Sequence, residues 1–106
     1  MTPKKFDAFQ VIADPSRRQM LMLLSKQSLT INGLADNFDM SRPAVSKHIK
    51  ILYGAGFISI TGIGRERHCI LKQEGFRELQ HFIDYFDKFW AAKLKKLETL
   101  LQNKQK

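Results

Sequence analysis

The sequence predicts a mainly α-helical domain with one small β-hairpin, and three observations lead to this fold class. Apolar residues recur at helical spacing in five stretches of the 106-residue chain, so five helices are expected. A segment rich in β-branched residues follows Gly56 and ends at Gly62 and Gly64, which is the pattern of a strand and a turn. No internal repeat or linker divides the sequence, so residues 1–106 are expected to form a single domain.

The first three predicted helices each have an apolar face and a recognisable start. Asp14 can cap the second helix while Pro15 fits its first turn, and Thr30 can cap the third. Residues 26–29, between the second and third helices, are expected to form only a turn. The expected bounds of the three helices are residues 4–13, 15–25 and 31–38.

The fourth helix is expected to begin at a Ser41 cap. Pro43 is tolerated in its first turn because the backbone donor there has no intrahelical partner. Val45, Ile49 and Leu52 share one stripe and are expected to face the core, which leaves the charged residues of this helix pointing outward.

A β-hairpin is expected after this helix. Gly56 is well placed to end the helix with a positive φ, since glycine adopts that conformation without steric cost. Arg65 and Arg67 are expected near the tip of the hairpin. Its strands are predicted over residues 57–61 and 67–71, joined by a turn at 62–64.

A long final helix, expected over residues 73–103, carries more apolar surface than a terminal helix usually leaves exposed. Burying large rings stabilises association by about 1.5 to 3 kcal/mol each before ordering costs are subtracted. The aromatic face therefore predicts an interface between two copies of the chain, with a ligand pocket beside it as the alternative. The predicted interface residues are Phe6, Phe9, Phe82, Phe86, Phe89, Trp90, Leu94 and Leu97.

Charge indicates a polyanionic partner. The formal net charge is +8, and no Asp or Glu lies between Met40 and Arg65. Charge alone does not separate nucleic acid from an anionic membrane surface. No apolar stretch approaches the roughly 20 residues that span a bilayer and no signal peptide is apparent, so a cytoplasmic protein with no membrane partner is expected.

The order of the predicted elements favours double-stranded DNA as the partner. A helix, a tight turn and a second helix over residues 30–55 form a helix-turn-helix, whose second helix enters the major groove. The hairpin at 57–71 then forms a wing, and the helix at 73–103 serves dimerisation. Arg42 can donate a bidentate pair to guanine, although a solvated cationic face is the alternative for each residue singly. The expected DNA contacts are Ser41, Arg42, Pro43, Ser46, Lys47, His48, Lys50, Arg65 and Arg67.

With these motifs the sequence resembles the ArsR family of winged helix-turn-helix repressors. The resemblance rests on residues 13–18, 41–49 and 52–58, together with Leu34 and Ala35. It implies a homodimer, paired through its first and last helices, that occupies an inverted-repeat operator and blocks transcription until a signal releases it. Trp90 and residues 93–97 resemble a branch of the family without recognised metal ligands. Two departures from the family pattern are Asp39, where glycine is usual, and Gly54, where a helix former is usual.

A metal-responsive or redox-responsive repressor of the same fold is the alternative function. A divalent metal needs three or four convergent ligands, and Cys69 is the single cysteine of the chain, so no metal or cofactor is expected. One arrangement stays open, a cross-subunit set of His81, Asp84 or Asp87 with Glu98. Cys69 is expected to be a small apolar filler, or else a redox-sensitive thiol whose pKa is lowered by the neighbouring residues Arg65, Arg67 and His68.

The sequence does not favour an enzyme. No motif gathers a nucleophile, a base and an orienting acid, and there is no glycine-rich phosphate loop. An interaction module is an alternative from a different class, because the last helix is basic and amphipathic and can bind an anionic membrane or a protein. An unknown inducer is left open. The lysines that favour an interaction module are Lys88, Lys93, Lys95 and Lys96.

Overall fold

The computed structural model describes residues 6–104, and these form five helices and a three-stranded sheet. A single turn of 3-10 helix, Glu74–Phe76, precedes the last helix. The mainly helical winged helix-turn-helix predicted from the sequence is confirmed. Helices α1 to α5 cover Ala8–Ile12, Pro15–Leu24, Ile31–Ala35, Arg42–Gly54 and Arg77–Lys104, and strands β1 to β3 cover Leu29–Thr30, Ile58–Ile63 and Glu66–Leu71.

The predicted helix caps at the starts of α2, α3 and α4 are confirmed. Asp14 accepts a hydrogen bond from the backbone N–H of Arg17 at 3.0 Å. Thr30 accepts one from Gly33 at 2.9 Å. Each side chain satisfies a backbone donor that the first helical turn leaves unpaired. These three helices therefore begin where local chemistry places them.

The N-terminal helix is shorter than the sequence predicts. Asp7 caps α1 in a reciprocal arrangement with Gln10, so the helix begins at Ala8 and Phe6 precedes it. The rest of the expected start, residues 4–5, lies outside the described residues. The short α1 is nevertheless well anchored, because Ala8 and Val11 are buried.

The turn predicted at residues 26–29 and the helix predicted to reach residue 38 are both partly wrong. Leu29–Thr30 forms strand β1, which pairs antiparallel with β3 in the sheet order β1-β3-β2. Helix α3 ends at Ala35, because the backbone then tightens so that the N–H of Phe38 donates to Ala35 over three residues. The hairpin is thus part of a three-stranded sheet.

The hairpin turn lies later than predicted. Gly62 pairs with Arg67 in the ladder between β2 and β3, so it belongs to a strand. The turn consists of Gly64 and Arg65, with φ of +63° at Gly64. A glycine is suited to this position because a Cβ atom would strain the left-handed backbone.

The final helix begins four residues later than predicted, at Arg77, because the 3-10 turn intervenes. Close packing on Phe57 accompanies that turn. The Phe57 ring is buried and meets the Phe76 ring edge-on at a centroid distance of 4.8 Å. Gly75 lies against Phe57 so closely that a Cβ atom on it would be 2.7 Å from the ring. The start of α5 is therefore held against the core.

One hydrophobic core joins the helices to the sheet. Met20 from α2, Leu34 from α3, Leu52 from α4 and Ile58 from β2 are almost completely buried in it. The predicted end of α4 is confirmed, since Gly56 follows the helix with φ of +82°. Within residues 6–104, no helix is long and apolar enough to cross a membrane.

Candidate nucleic-acid interface

Helix α4 has one buried face and one exposed basic face. Val45, Ile49 and Leu52 are buried, as the stripe in the sequence predicts. The exposed side chains include Ser46, Lys47 and Lys50. Because the core holds one face of the helix, the opposite face is presented to solvent as a fixed basic surface.

The start of α4 brings another group of predicted residues to the same surface. Ser41, Arg42 and Pro43 are all exposed there. The Ser41 hydroxyl accepts the N–H of Ala44 at 3.3 Å, so Ser41 is first of all a helix cap. The positive end of the helix dipole adds to the charge of Arg42, and both favour an approaching phosphate.

Arg42 is held by a residue that the sequence analysis missed. Its Nη1 donates a hydrogen bond to Oδ1 of Asn32, which is exposed on α3. This contact ties the two helices of the helix-turn-helix together at the surface. Asn32, a polar residue in the first turn of α3, was the available signal. The sequence does not show that the guanidinium of Arg42, ten residues later, would reach it.

The recognition helix and the wing meet in one cleft. Ser46 and Lys50 from α4 line a cleft of about 360 Å³ together with Arg67 from β3. Tyr53, which the sequence analysis did not single out, lies at its edge and is 56% exposed. The cleft gives a phosphate chain cationic groups from two elements, and its apolar lining is formed by Ile31, Ile49 and Ile60.

The two wing arginines line a second cleft, also of about 360 Å³, at the start of α3. Glu66 lies between Arg65 and Arg67 in this cleft. Its carboxylate is 3.3 Å from Nε2 of His68, so it contacts another side chain of the wing. The wing is therefore basic but carries one acidic side chain at the tip.

His48 is placed differently from the other predicted contacts. It is half-buried, and its Nδ1 lies 3.2 Å from Nη1 of Arg17 on α2. Asp14 lies beside this pair. Burial raises the pKa of the Asp14 carboxyl, but the hydrogen bond from Arg17 N–H and the charges of His48 and Arg17 outweigh burial and leave the pKa lowered. One nitrogen of His48 thus faces the protein.

Cys69 has the surroundings of a structural residue. Its side chain is fully buried in the core, opposite Leu29 in the β1 to β3 ladder. Burial raises the pKa of its thiol, although the charge of Arg67 acts in the opposite direction. A buried thiol with a raised pKa is suited to packing and not to redox sensing.

The described residues offer no metal site within one chain. Among residues 6–104, no group of three or more His, Cys, Asp or Glu side chains is placed to hold a metal ion. Asp84 instead accepts a hydrogen bond from Gln80 at 2.8 Å. His81 and Asp84 line an open concavity of about 580 Å³ on α5. The cross-subunit set with Asp87 and Glu98 involves a second copy and stays a prediction.

Helix α5 carries an exposed apolar face. The rings of Phe82, Phe86, Phe89 and Trp90 are in sequential contact, with centroid distances between 5.1 and 6.2 Å. Phe9 of α1 packs edge-on against Phe82 at 5.1 Å and joins the face. The exposed members of this face include Phe82, Phe86, Phe89, Trp90, Leu94 and Leu97, each at least 40% exposed.

Phe6 does not belong to that exposed face. It is half-buried, packs against the core, and lies over the guanidinium of Arg17 at 5.8 Å from the ring centroid. The predicted role of Phe6 in an interface stays a prediction. Its place in the structure is to cover Arg17.

Comparison with known proteins agrees with this arrangement of helices and wing. Residues 14–59 match the model for the bacterial regulatory protein, arsR family. The chain is 33% identical to the HTH-type transcriptional regulator Rv2034 of Mycobacterium tuberculosis, over 82% of the chain and 78% of that relative. The chain belongs to the ArsR family. It is also 40% identical over 53 residues to the transcriptional repressor SdpR of Bacillus subtilis, which is 50% of the chain and 59% of SdpR.

Solved structures support the same assignment. The crystal structure of an ArsR family transcriptional regulator, RHA00566, has a TM-score of 0.73 and 35% identity with this chain. The similarity covers 80% of the chain and 88% of that regulator. The family and these relatives are regulators and not enzymes, which agrees with the absence of a catalytic motif in the sequence.

Proposed function

We propose that this ArsR family chain is a DNA-binding transcriptional repressor that acts as a homodimer on an inverted-repeat operator. The observation that carries the proposal is the cleft where Ser46 and Lys50 of α4 meet Arg67 of the wing. Two cationic groups from different elements line one concave surface there, beside a helix whose exposed face lacks acidic residues. This surface complements a phosphate chain on both sides of a major groove.

The proposed contacts with bases and with phosphates are assigned from the positions of the side chains. Arg42 and Lys47, near the exposed start of α4, are assigned to base edges and adjacent phosphates. The other contacts are assigned to the DNA backbone: four lie at the wing or at the cleft between the wing and α4, two lie at the exposed start of α4, and His48 lies beside Arg17. These backbone contacts are Ser41, Pro43, Ser46, His48, Lys50, Arg65 and Arg67.

The homodimer is proposed from the exposed apolar face of α5. A row of aromatic and leucine side chains left in water is costly, and a second copy of the same face can cover it symmetrically. A two-fold axis then places two recognition helices in successive major grooves, about 34 Å apart. The operator is accordingly expected to be an imperfect inverted repeat.

The test is fluorescence anisotropy of the purified protein on two labelled duplexes. One duplex has the sequence upstream of the protein's own gene and the other is its scrambled version, each with a chelator present and at two salt concentrations. We expect preferential binding to the natural duplex that weakens with salt, because binding releases counterions from the phosphates. Equal, weak binding to both duplexes, with zinc still failing to restore a preference, would contradict the proposal.

A matched pair of lysine variants locates the binding surface. Lys50→Ala removes a cation from the cleft at α4, whereas Lys95→Ala removes one from the exposed surface of α5. Both variants lose one charge from an exposed helix position, so a general charge effect would weaken both equally. Weaker binding by Lys50→Ala alone supports the proposed surface.

A cytoplasmic location is part of this proposal, since a bacterial repressor has to reach its DNA operator. The proposal does not require an inducer. A repressor controlled by its own concentration needs only the DNA surface and the dimer face. Adding zinc or peroxide to the same anisotropy assay separates this case from a metal-responsive or redox-responsive repressor.

A further inference from the structure

Arg17 is a buried arginine whose side chain holds the end of α1. It is 8% exposed. Its Nε donates to the carbonyl of Val11 at 2.8 Å, and its Nη2 donates to the carbonyl of Gln10 at 3.0 Å. These carbonyls belong to the last turn of α1, where the helix leaves carbonyls short of backbone donors, and that of Gln10 also accepts the N–H of Ala13 at 3.3 Å. With the Phe6 ring over the guanidinium, these contacts fix the direction of the remaining nitrogen, Nη1.

The remaining nitrogen of Arg17 faces the recognition helix. Nη1 lies 3.2 Å from Nδ1 of His48. A guanidinium has donors and no acceptor, so the imidazole nitrogen in this contact has to accept. When Nδ1 accepts, the proton of a neutral imidazole is on Nε2. Among residues 6–104 no group accepts a hydrogen bond from Nε2, which leaves that N–H available to a phosphate oxygen.

We propose that Arg17 is a positioning residue that holds His48 as the Nε2–H tautomer and so orients the recognition helix toward the DNA backbone. The proposal rests on the DNA-binding function proposed above. The planar guanidinium of Arg17 hydrogen-bonds to α1 and α4 at the same time, and the ammonium group of a lysine cannot reproduce that geometry. The same arginine therefore connects α1, which packs on α5 through Phe9 and Phe82, to the DNA-facing helix.

The first test is a double-mutant cycle on operator affinity with Arg17→Lys and His48→Gln. Arg17→Lys keeps the charge but loses the planar guanidinium, and His48→Gln removes the imidazole. If Arg17 acts through His48, each single variant weakens binding about tenfold, and the double variant also weakens it about tenfold instead of a hundredfold. Independent, multiplicative effects of the two changes would overturn the proposal. Thermal melting of each variant checks that it is folded.

The neighbouring arginine supplies a matched control. Arg18 also donates to backbone carbonyls at the end of α1, those of Ile12 at 2.6 Å and Ala13 at 3.2 Å. It is exposed, and these hydrogen bonds go to the end of α1 and not to the recognition helix. Arg18→Lys is therefore expected to leave operator affinity within twofold of the unmodified protein. A loss as large as that of Arg17→Lys would show that holding the end of α1 is enough, and would overturn the role assigned to His48.

The second test reads the tautomer directly and needs no DNA. Nitrogen-15 NMR of the labelled protein, recorded at alkaline pH, distinguishes protonated from unprotonated ring nitrogens. We expect His48 to have its proton on Nε2, and Arg17→Lys to shift the Nδ1 resonance of His48 while that of the exposed His81 stays unchanged. A proton on Nδ1, or a His48 resonance that ignores Arg17→Lys, would overturn the proposal.

The tests distinguish a failure of the proposed DNA-binding function from a failure of the role assigned to Arg17. If the unmodified protein does not prefer its operator, the proposed function fails, and the orientation of α4 toward DNA fails with it. If the protein binds its operator but the cycle is multiplicative, the DNA-binding function stands and the role of Arg17 falls.

Discussion

Arg42 is the residue on which base discrimination is proposed to depend. Its side chain is exposed at the start of α4 and hydrogen-bonded to Asn32, so it approaches DNA partly ordered. Arg42→Ala is expected to lose about 1 to 3 kcal/mol of discrimination at one operator position, the typical value of a bidentate arginine–guanine contact. The measurement is anisotropy against a panel of single-base operator variants.

Lys50 and Arg65 provide the contrast for this prediction. Lys50→Ala or Arg65→Ala is expected to weaken binding to all variants alike and to reduce the salt slope by about 1, because each removes one phosphate contact. If Arg42→Ala keeps the unmodified preference across the whole panel, the assignment of Arg42 to a base is wrong.

The thiol of Cys69 is expected to be unreactive in the folded protein. Because burial raises the pKa of its thiol, less thiolate is present at any pH near neutrality than for a free cysteine. Alkylation of the folded protein should therefore be slow, and its rate should rise only at a higher pH than that of the unfolded chain. Iodoacetamide labelling followed by mass spectrometry, with and without denaturant, measures both rates.

Treatment with peroxide tests the same prediction through operator affinity. Treatment that oxidises the unfolded chain should leave the operator affinity of the folded protein unchanged. A loss of affinity that Cys69→Ala abolishes would show that the thiol is a redox switch after all.

At the scale of elements, Asp14 links the stability of α2 to pH. Asp14→Ala is expected to cost about 1 kcal/mol of unfolding free energy at neutral pH, a typical value for a lost N-cap. The pKa of Asp14 is lower in the folded protein than its ordinary value of 3.8, so folding favours the charged form. Its electrostatic contribution is complete above that value and is lost as the pH falls through the lower folded pKa.

Denaturant titrations of the unmodified protein and Asp14→Ala at about pH 6 and about pH 2.5 measure this contribution. The difference in unfolding free energy between the two proteins should shrink at the lower pH. Asp14→Asn is the control, because an asparagine caps a helix without a titrating charge. A difference that is the same at both pH values would contradict the electrostatic part of the argument.

Two glycines near the ends of helices are expected to respond to alanine in opposite directions. A Cβ on Gly75 would be 2.7 Å from the Phe57 ring and 2.8 Å from its backbone nitrogen, so Gly75→Ala forces the packing apart. A Cβ on Gly54 would meet nothing within 4 Å, and Gly54 lies in α4. Gly75→Ala is expected to cost about 1 to 3 kcal/mol, and Gly54→Ala to stabilise the protein by up to about 1 kcal/mol.

Unfolding in urea measures both changes in free energy. Each variant serves as the control for the other, since both add a single methyl group. If Gly75→Ala is as stable as the unmodified protein, the close approach of this turn to Phe57 is not as tight as the structure shows.

The elements that the sequence predicts are those fixed by local chemistry. The caps at Asp14, Thr30 and Ser41 depend on donors three residues away, and the α4 stripe depends on helical spacing. Strand β1 has only two residues and exists because Leu29 pairs with Cys69, far along the chain. No local pattern signals such a strand.

The same distinction applies to the candidate site. Its basic residues were predictable from charge and helical position. The partners that order them were not, because Asn32 reaches Arg42 across ten residues and Arg17 reaches His48 across 31. These contacts exist only once the helices have packed, so sequence spacing does not reveal them.

At the scale of the whole molecule, the chain has two surfaces with different chemistry. The face of α4 and the wing is basic, whereas α5 exposes an apolar row that runs from Phe82 to Leu101. A single chain leaves that row in water, and the hydrophobic effect favours covering it with a second copy. The operator symmetry proposed above depends on this pairing, because one chain reads only one half-site.

Phe86→Glu is expected to break the proposed dimer. Phe86 contacts Phe82, Tyr85 and Phe89 within the apolar row, and a carboxylate there would lose its hydration on pairing. Loss of one buried ring should raise the dimer dissociation constant about tenfold or more. Sedimentation equilibrium over a range of concentrations measures this constant. Operator affinity should fall as well, since a monomer holds one half-site.

Lys95→Glu is the matched control for the dimer. Position 95 is nine residues after Phe86, which at about 100° per residue is the opposite side of the helix. The same carboxylate placed there should leave the dimer intact. If the unmodified protein is a monomer at micromolar concentration, or if Phe86→Glu and Lys95→Glu weaken the dimer equally, the apolar row is not the dimer face. A repressor that reads an inverted repeat would then need another surface to hold its two copies together.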